Sequence, residues 1–101
     1  MMIWKIAQSV NKGYDTYSDA VVIAADPEAA RRVHPDGRSR WDDGQETWLS
    51  HWKDKAGNVK LQPDELAVGE WSHIRDVRVE LVGVATGEAK PGVVCASFHA
   101  G

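Results

Sequence analysis

The chain has 101 residues, of which 43% are hydrophobic and 27% are charged, and its formal net charge at pH 7 is -3. This length supports one domain with one hydrophobic core, and the composition argues against a disordered chain and for a soluble globular one. No apolar run approaches the roughly 20 residues that a membrane span needs, and Lys5 interrupts the apolar N-terminus, which excludes a secretory signal peptide. We therefore predict a single cytoplasmic domain, residues 1–101, that does not contact a membrane.

The charged residues and the single cysteine limit the partners and cofactors to be expected. Lys and Arg are spread along the chain and the pI is about 5.7, whereas sequence-independent phosphate binding usually leaves a basic stripe or a high pI. One cysteine excludes an internal disulfide and a multi-cysteine metal site. The spread of basic residues and the acidic pI predict no direct binding to nucleic acid.

The first third of the chain predicts two paired strands and a short helix. Residues 2–8 alternate apolar and polar side chains, and residues 20–25 form a continuous apolar run typical of a strand covered on both faces. Asp26 suits the N-cap of a helix, with a proline at the first helical position. Pro35 then ends this helix, so a two-turn helix is expected over 27–34.

The middle of the chain predicts a loop and then a hairpin. Residues 36–45 are polar, with two Asp-Gly steps, and are expected to be irregular. The Gly57-Asn58 step between two short alternating runs favours a hairpin over 47–62. Trp48 and Trp52 also fit one face of a short helix, so the sequence leaves open both this alternative and whether the two residues belong to the core or to an interface.

The last third predicts two further strands. Residues 63–69 are a connector with one possible helical turn, residues 77–84 alternate cleanly, and residues 93–99 return after a turn as the final strand. The strands over 77–84 and 93–99 are expected to be antiparallel neighbours. The resulting prediction is an α+β fold with a four- or five-stranded antiparallel sheet and one short helix packed on it.

Catalytic and metal-binding patterns are absent from the sequence. The four histidines are scattered without the spacing of a helical metal motif. Cys95 and His99 would lie about 13 Å apart on an extended strand, too far for one metal ion. Cys95 between small apolar neighbours is typical of a core residue. We predict no catalytic residue, no cofactor and no metal, and rank a small enzyme using Cys95 or a histidine below a binding protein.

Aromatic residues are the strongest sign of a binding surface. Residues 9–17 form a loop with two tyrosines, Tyr14 and Tyr17, that a plain hairpin would not need, and Asp15 lies between them. The tyrosines can pack over a sheet edge and Asp15 can cap nearby backbone. The five tryptophans exceed what one sheet and one helix need for closure, so some of them are candidates for interface anchors.

The order of short motifs resembles a known family. The motifs are Lys5-Ile6, Gly13-Tyr14-Asp15, the apolar run 21–25, Glu28-Ala29, Pro35-Asp36, Trp48-Leu49 with Trp52, and Ala96-Ser97 beside Cys95. This order is similar to that of the anti-CRISPR family that inhibits type II-C CRISPR nucleases by capping the HNH domain. The two ends of the chain also resemble small phage and prophage proteins.

The resemblance implies an inhibitor that acts as a plug without catalysis. In that family the serine of the late strand and the residue after it enter the HNH active site, and Ser97 and Phe98 hold these positions here, with phenylalanine in place of the family's cysteine. Together with Asp15, Tyr14 and Tyr17 they are the implied partner-binding residues. The implied partner is a host CRISPR effector nuclease in the host cell cytoplasm.

Two further expectations accompany this hypothesis. If the chain is such a plug, the loop at residues 13–15 and the strand at 93–99 must lie together at one edge of the domain. The chain lacks a heptad or a long apolar stripe, so a monomer or weak dimer is expected. The alternative function is a phage accessory protein with a structural or regulatory protein partner.

Overall fold

The computed structural model describes residues 1–100. Over these residues the chain forms seven strands in two sheets, two α-helices and one 3-10 turn. In chain order they are β1 (Met2–Ala7), β2 (Thr16–Ala24), α1 (Pro27–Arg31), β3 (Arg40–Asp42), β4 (Thr47–Lys53), β5 (Val59–Pro63), α2 (Glu65–Glu70), the 3-10 turn (Ile74–Asp76), β6 (Arg78–Val84) and β7 (Gly92–His99). The predicted α+β class with a four-stranded antiparallel sheet is confirmed.

The larger sheet is built around the pair β1 and β2. Its strand order is β6-β1-β2-β7, and every neighbouring pair is antiparallel. Trp4 lies opposite Val22 and Ile6 lies opposite Ala20, and these four side chains are buried on one face. The prediction that β2 is covered on both faces was wrong, because its alternate residues on the other face are only partly buried.

The predicted pairing of 77–84 with 93–99 was also wrong. β6 pairs with β1 and β7 pairs with β2, so these two strands form the opposite edges of the sheet. Three strand spacings separate them, about 14 Å, which residues 85–91 can bridge because an extended chain of that length reaches about 23 Å. A short connection between two strands therefore did not require them to be neighbours.

The smaller sheet contains the predicted hairpin. β4 and β5 are antiparallel partners, with a turn in which Gly57 adopts a φ of 87°. β3 lies within residues 36–45, which were expected to be irregular. This correction has a physical cause, since Trp41 lies opposite Trp48 with the ring centroids 5.3 Å apart. The aromatic pair holds a polar segment in an extended conformation.

The helices differ from their predicted lengths. Asp26 caps α1 as expected, accepting a hydrogen bond of 2.8 Å from the Ala29 backbone N–H, but the helix ends at Arg31 rather than at residue 34. α2 extends the single predicted turn to six residues and is capped by Asp64, which accepts from the Leu66 N–H at 3.0 Å. Two helices, rather than one, therefore pack on the sheets.

The core lies between the two sheets and the two helices. Ala30 of α1 and Ala67 of α2 contribute to the same buried cluster as Trp48 and Trp71, whose side chains are fully buried. The Trp48 indole N–H donates a hydrogen bond of 2.8 Å to the Ser72 carbonyl. Among the described residues, neither helix has the length and apolarity that a membrane-spanning segment requires.

Candidate functional site

The loop at residues 13–15 lies against the end of β7. The Asp15 backbone N–H donates a hydrogen bond to the His99 carbonyl, and the Tyr14 ring packs edge-on against the His99 ring with centroids 5.0 Å apart. This contact follows from the topology, because Thr16, the first residue of β2, is the antiparallel partner of His99. The structure thus brings together the loop and the last strand, as the sequence predicted.

The loop holds Asp15 in a defined conformation. Its φ is 58°, in the left-handed region that aspartate tolerates better than most residues. The Thr16 hydroxyl donates a hydrogen bond of 2.6 Å to the Gly13 carbonyl, which closes the turn around Asp15. The backbone at this position is therefore fixed on both sides by hydrogen bonds.

Tyr17 and Phe98 form the apolar part of the same surface. Their ring centroids are 4.7 Å apart, and Phe98 is 44% exposed while Tyr17 is half-buried. Burial raises the pKa of the Tyr17 hydroxyl, and the negative charges of Glu70 and Asp36 raise it further. Tyr17 therefore supports Phe98 from the core side, while Phe98 is accessible to a partner.

Ser97 and Cys95 lie on the exposed part of β7. Ser97 is exposed and lies opposite Asp19 of β2. Cys95 is exposed as well, so the expectation that it is a core residue was wrong. The reason is the face of the sheet on which it lies, because Cys95 is opposite Val21, on the side that neither helix covers.

We call Tyr14, Asp15, Tyr17, Ser97 and Phe98 together the β7 patch.

A shallow cavity of about 490 Å³ adjoins the β7 patch. Ser97 and Phe98 line it together with His99 and Lys12. The sequence analysis did not single out the last two as partner-binding residues, although Lys12 belongs to the same loop as Asp15. The β7 patch therefore combines a carboxylate, a hydroxyl, an aromatic ring and a nearby ammonium group.

A second group of polar residues is buried beneath the sheets. His34 is only 1% exposed, and its Nε2 lies 2.7 Å from the Ala67 carbonyl, while its Nδ1 accepts a hydrogen bond of 3.0 Å from the Asp36 backbone N–H. These partners fix the neutral tautomer in which Nε2 carries the proton. Both ring nitrogens are thus used to connect residues 34–36 to α2.

The carboxylate oxygens of Asp36 are likewise occupied by hydrogen bonds. Its carboxylate accepts hydrogen bonds from the backbone N–H groups of Arg38, at 2.7 Å, and Ser39, at 2.8 Å, and from the Ser39 hydroxyl. Burial would raise the pKa of Asp36, but the hydrogen bonds that its carboxylate accepts from the Ser39 hydroxyl and from the backbone N–H groups of Ser39 and Arg38 outweigh it and hold the pKa far below the ordinary value. Asp36 is charged at neutral pH.

His34, Asp36 and Glu70 meet the distance condition for a metal site. One potential ligand atom from each lies within 4.8 Å of the others. The nitrogens of His34 and the oxygens of Asp36 already hold backbone groups, however, so a metal ion would have to displace those hydrogen bonds. The arrangement therefore fits a structural role. Sequence reasoning did not find it, because Glu70 is distant in the chain from the other two.

A larger cavity, of about 750 Å³, opens above this buried group. One wall is formed by β3, β4 and the residues before β3, and the other by α2 and the start of β7. We call it the arginine groove, because three arginines line it: Arg32, Arg38 and Arg40. Ser50, His51, Trp52 and Glu70 are among its other lining residues. The sequence analysis did not find this cavity, because residues 36–45 were expected to be irregular, whereas β3 within them forms part of the cavity wall.

Comparison of the chain with protein-family models, curated proteins and solved structures finds no match. The resemblance to HNH-capping inhibitors therefore remains a prediction from the motif order. The chemistry of the β7 patch and of the arginine groove is the basis for the functional proposals below.

Proposed function

We propose that the chain is a non-catalytic protein that binds a partner protein through the β7 patch. The observation that carries this proposal is the contact between the loop and the last strand, in which the Asp15 N–H donates to the His99 carbonyl. It places Asp15 beside the end of β7, the edge strand that carries the Ser97 hydroxyl and the exposed Phe98 ring on its two faces. An exposed aromatic ring flanked by polar groups is a common composition for a binding hot spot.

The position of β7 at a sheet edge supports the same proposal. β7 carries no charged residue and no proline, whereas the edge strand β6 carries Arg78 and Glu80, and the edge strand β5 carries Lys60 and Pro63. Charges and prolines normally protect edge strands from pairing with other chains. Among the sheet edges of the described residues, β7 is thus the one suited to contact with a partner.

The polar groups of the core support a non-catalytic role. His34 and Asp36 are the residues most suited to proton transfer by their burial and proximity, and the backbone already occupies both of them. A base that holds structural hydrogen bonds on both ring nitrogens has no lone pair for a substrate. We infer that the β7 patch acts by covering a site on its partner.

The motif order suggests which partner this is: a host CRISPR effector nuclease bound at its HNH domain, in the host cell cytoplasm. There, the Asp15 carboxylate and the Ser97 hydroxyl would take the places of the oxygens of a scissile phosphate and offer no bond to cleave. Phe98 would fill the space next to Ser97 where related inhibitors carry a cysteine. The nuclease would be blocked without any chemical step.

Phage interference assays in hosts that carry different CRISPR types test this function. We expect the protein to relieve interference by a type II-C system, and Phe98→Ala to reduce that relief. Val84→Ala is the matched control, since Val84 is an exposed apolar residue, 74% exposed, on the opposite edge strand. Relief of no CRISPR type would refute the inhibitor proposal and favour the alternative of a phage accessory protein with another protein partner.

A further inference from the structure

The arginine groove has the size of a small-ligand site. Its volume of about 750 Å³ lies within the roughly 300–1,000 Å³ of typical ligand clefts. The buried His34 and Asp36 line its floor, and Ser39 and Ser50, whose hydroxyl oxygens are 3.0 Å apart, stand beside them. The floor is therefore held by hydrogen bonds and does not need a ligand to form.

Two arginines of the groove are available to an anion. Arg38 and Arg40 are both exposed, and within the described residues neither lies within 4.0 Å of a carboxylate. Arg32, at the same rim, is by contrast held at 3.1 Å by both Glu28 and Asp43. A guanidinium without an acidic partner at the rim of a cavity is well suited to bind phosphate with two parallel hydrogen bonds.

Trp52 adds an exposed aromatic surface to the same groove. It is 48% exposed, although Trp48 on the same strand is fully buried, so packing of the core does not account for it. Trp52 lies next to His51 in the groove wall and opposite Lys60 of β5. An exposed indole beside cations is the combination that proteins use to stack a nucleobase and hold its phosphate.

Charge is distributed unevenly around this hairpin. Residues 51–60 contain three lysines and one aspartate, whereas the whole chain has a net charge of -3. The expectation of no nucleic-acid binding rested on the overall pI and on the spread of Lys and Arg along the sequence, and neither shows which residues the fold brings together. Lys60 adds a positive charge opposite Trp52, while the groove itself holds Arg38 and Arg40 together with the acidic residues Asp36, Asp64 and Glu70.

We propose that the arginine groove binds a nucleoside monophosphate unit, either free or as one nucleotide of a single-stranded nucleic acid. Arg38 and Arg40 bind the phosphate, and Trp52 stacks on the base. The inference goes beyond the proposed function and does not depend on it. The groove includes Gly92 and Val93 at the start of β7, whereas the β7 patch uses the opposite end of that strand.

Glu70 is one of three acidic residues that line the groove, with Asp36 and Asp64. Its pKa is raised by burial and by the charges of Asp36 and Asp64, although His34 and Arg38 oppose the shift. A negative charge on Glu70 repels a bound phosphate. Removing its charge should therefore strengthen binding, which an adventitious contact outside the groove would not show.

Fluorescence anisotropy with a labelled ten-nucleotide oligothymidylate tests the proposal, with AMP, inorganic phosphate and a polyglutamate peptide as competitors. We expect the double variant Arg38→Gln/Arg40→Gln and the variant Trp52→Ala each to weaken binding at least about tenfold. Glu70→Gln should tighten it. Arg75→Gln is the matched control, because Arg75 is an exposed arginine away from the groove, and it should leave the affinity unchanged.

The competitors separate the two sources of the ligand. Displacement by AMP supports a free nucleotide as the ligand, and binding of the oligothymidylate that AMP does not displace supports a single strand. The proposal is overturned if the labelled oligothymidylate does not bind, if the arginine double variant or Trp52→Ala binds it as the parent does, or if inorganic phosphate or polyglutamate competes as well as AMP. For each variant, circular dichroism must show that it is folded as the parent is.

Discussion

At the scale of single residues, Asp36 fixes the path of the chain between α1 and β3. It lies between α1, which ends at Arg31, and β3, and its carboxylate turns the chain toward β3 by accepting the N–H groups of Arg38 and Ser39. Its own N–H fixes the tautomer of His34. One side chain thus organises the floor of the arginine groove and the connection between α1 and the second sheet.

We predict that Asp36→Ala lowers the free energy of unfolding at pH 7 by about 2 kcal/mol, because three hydrogen bonds to a charged acceptor are lost. The pKa of Asp36 is lower in the folded than in the unfolded protein. Its contribution is therefore present above about pH 4, the unfolded pKa, and is lost as the pH falls below that value. Denaturant unfolding at pH 2 to 7 should show the two proteins converge in acid.

Glu88→Ala is the control for this experiment. Glu88 is exposed in the turn between β6 and β7, and its replacement should change the free energy of unfolding by less than about 0.5 kcal/mol. A difference between the parent and Asp36→Ala that stays constant from pH 7 to pH 2 would show that the charge of Asp36 does not stabilise the fold.

At the scale of elements, the alternation of apolar and polar residues predicted where strands form, because that depends on residues close together in the chain. The alternation of residues 2–8, 47–62 and 77–84 identified strands because side chains of a strand alternate between faces. Strand order could not be predicted in the same way. It depends on which edge of the β1 and β2 pair each later strand meets, and nothing in residues 77–84 or 93–99 specifies that edge.

Elements held by distant contacts were missed for the same reason. β3 is extended because Trp41 packs on Trp48, and no pattern within residues 36–45 contains that information. The burial of Cys95 was predicted wrongly because apolar neighbours do not reveal which face of a sheet is covered. The β7 patch could be predicted in part, since the loop at 13–15 directly precedes β2, the partner of β7.

The two tryptophans of β4 allow a test at this scale. Trp48 is fully buried and donates to the Ser72 carbonyl, so Trp48→Ala should lower the free energy of unfolding by about 3–5 kcal/mol. Trp52 is half-exposed on the same strand, and Trp52→Ala should cost less than about 0.5 kcal/mol. Guanidinium unfolding of both variants measures this; a similar loss for both would show that Trp52 belongs to the core.

At the scale of the whole molecule, one core carries two separate exposed regions. The β7 patch lies at the end of the larger sheet, and the arginine groove lies between the two sheets. Tyr17 contacts both regions, with its ring 4.7 Å from Phe98 and 6.1 Å from His34, measured between centroids. A chain of this length can therefore offer a protein-binding edge and a small-ligand cavity without a second core.

The account depends most directly on the role of the β7 patch. Asp15→Asn removes the charge and keeps a side chain that tolerates the φ of 58°, whereas alanine is less suited to that conformation. Ser97→Ala removes the hydroxyl from an exposed position. The melting temperature of each variant, measured beside that of the parent, shows whether a change in binding reports on the contact itself.

The decisive measurement is the affinity of a purified type II-C CRISPR nuclease for the parent protein, for Asp15→Asn and for Ser97→Ala, with Val84→Ala as the control. We predict that the parent and the control bind equally and that each patch variant binds at least about tenfold more weakly, a loss of about 1.4 kcal/mol or more. Binding of both patch variants with the affinity of the parent, or no binding by the parent, would contradict the assignment of the β7 patch.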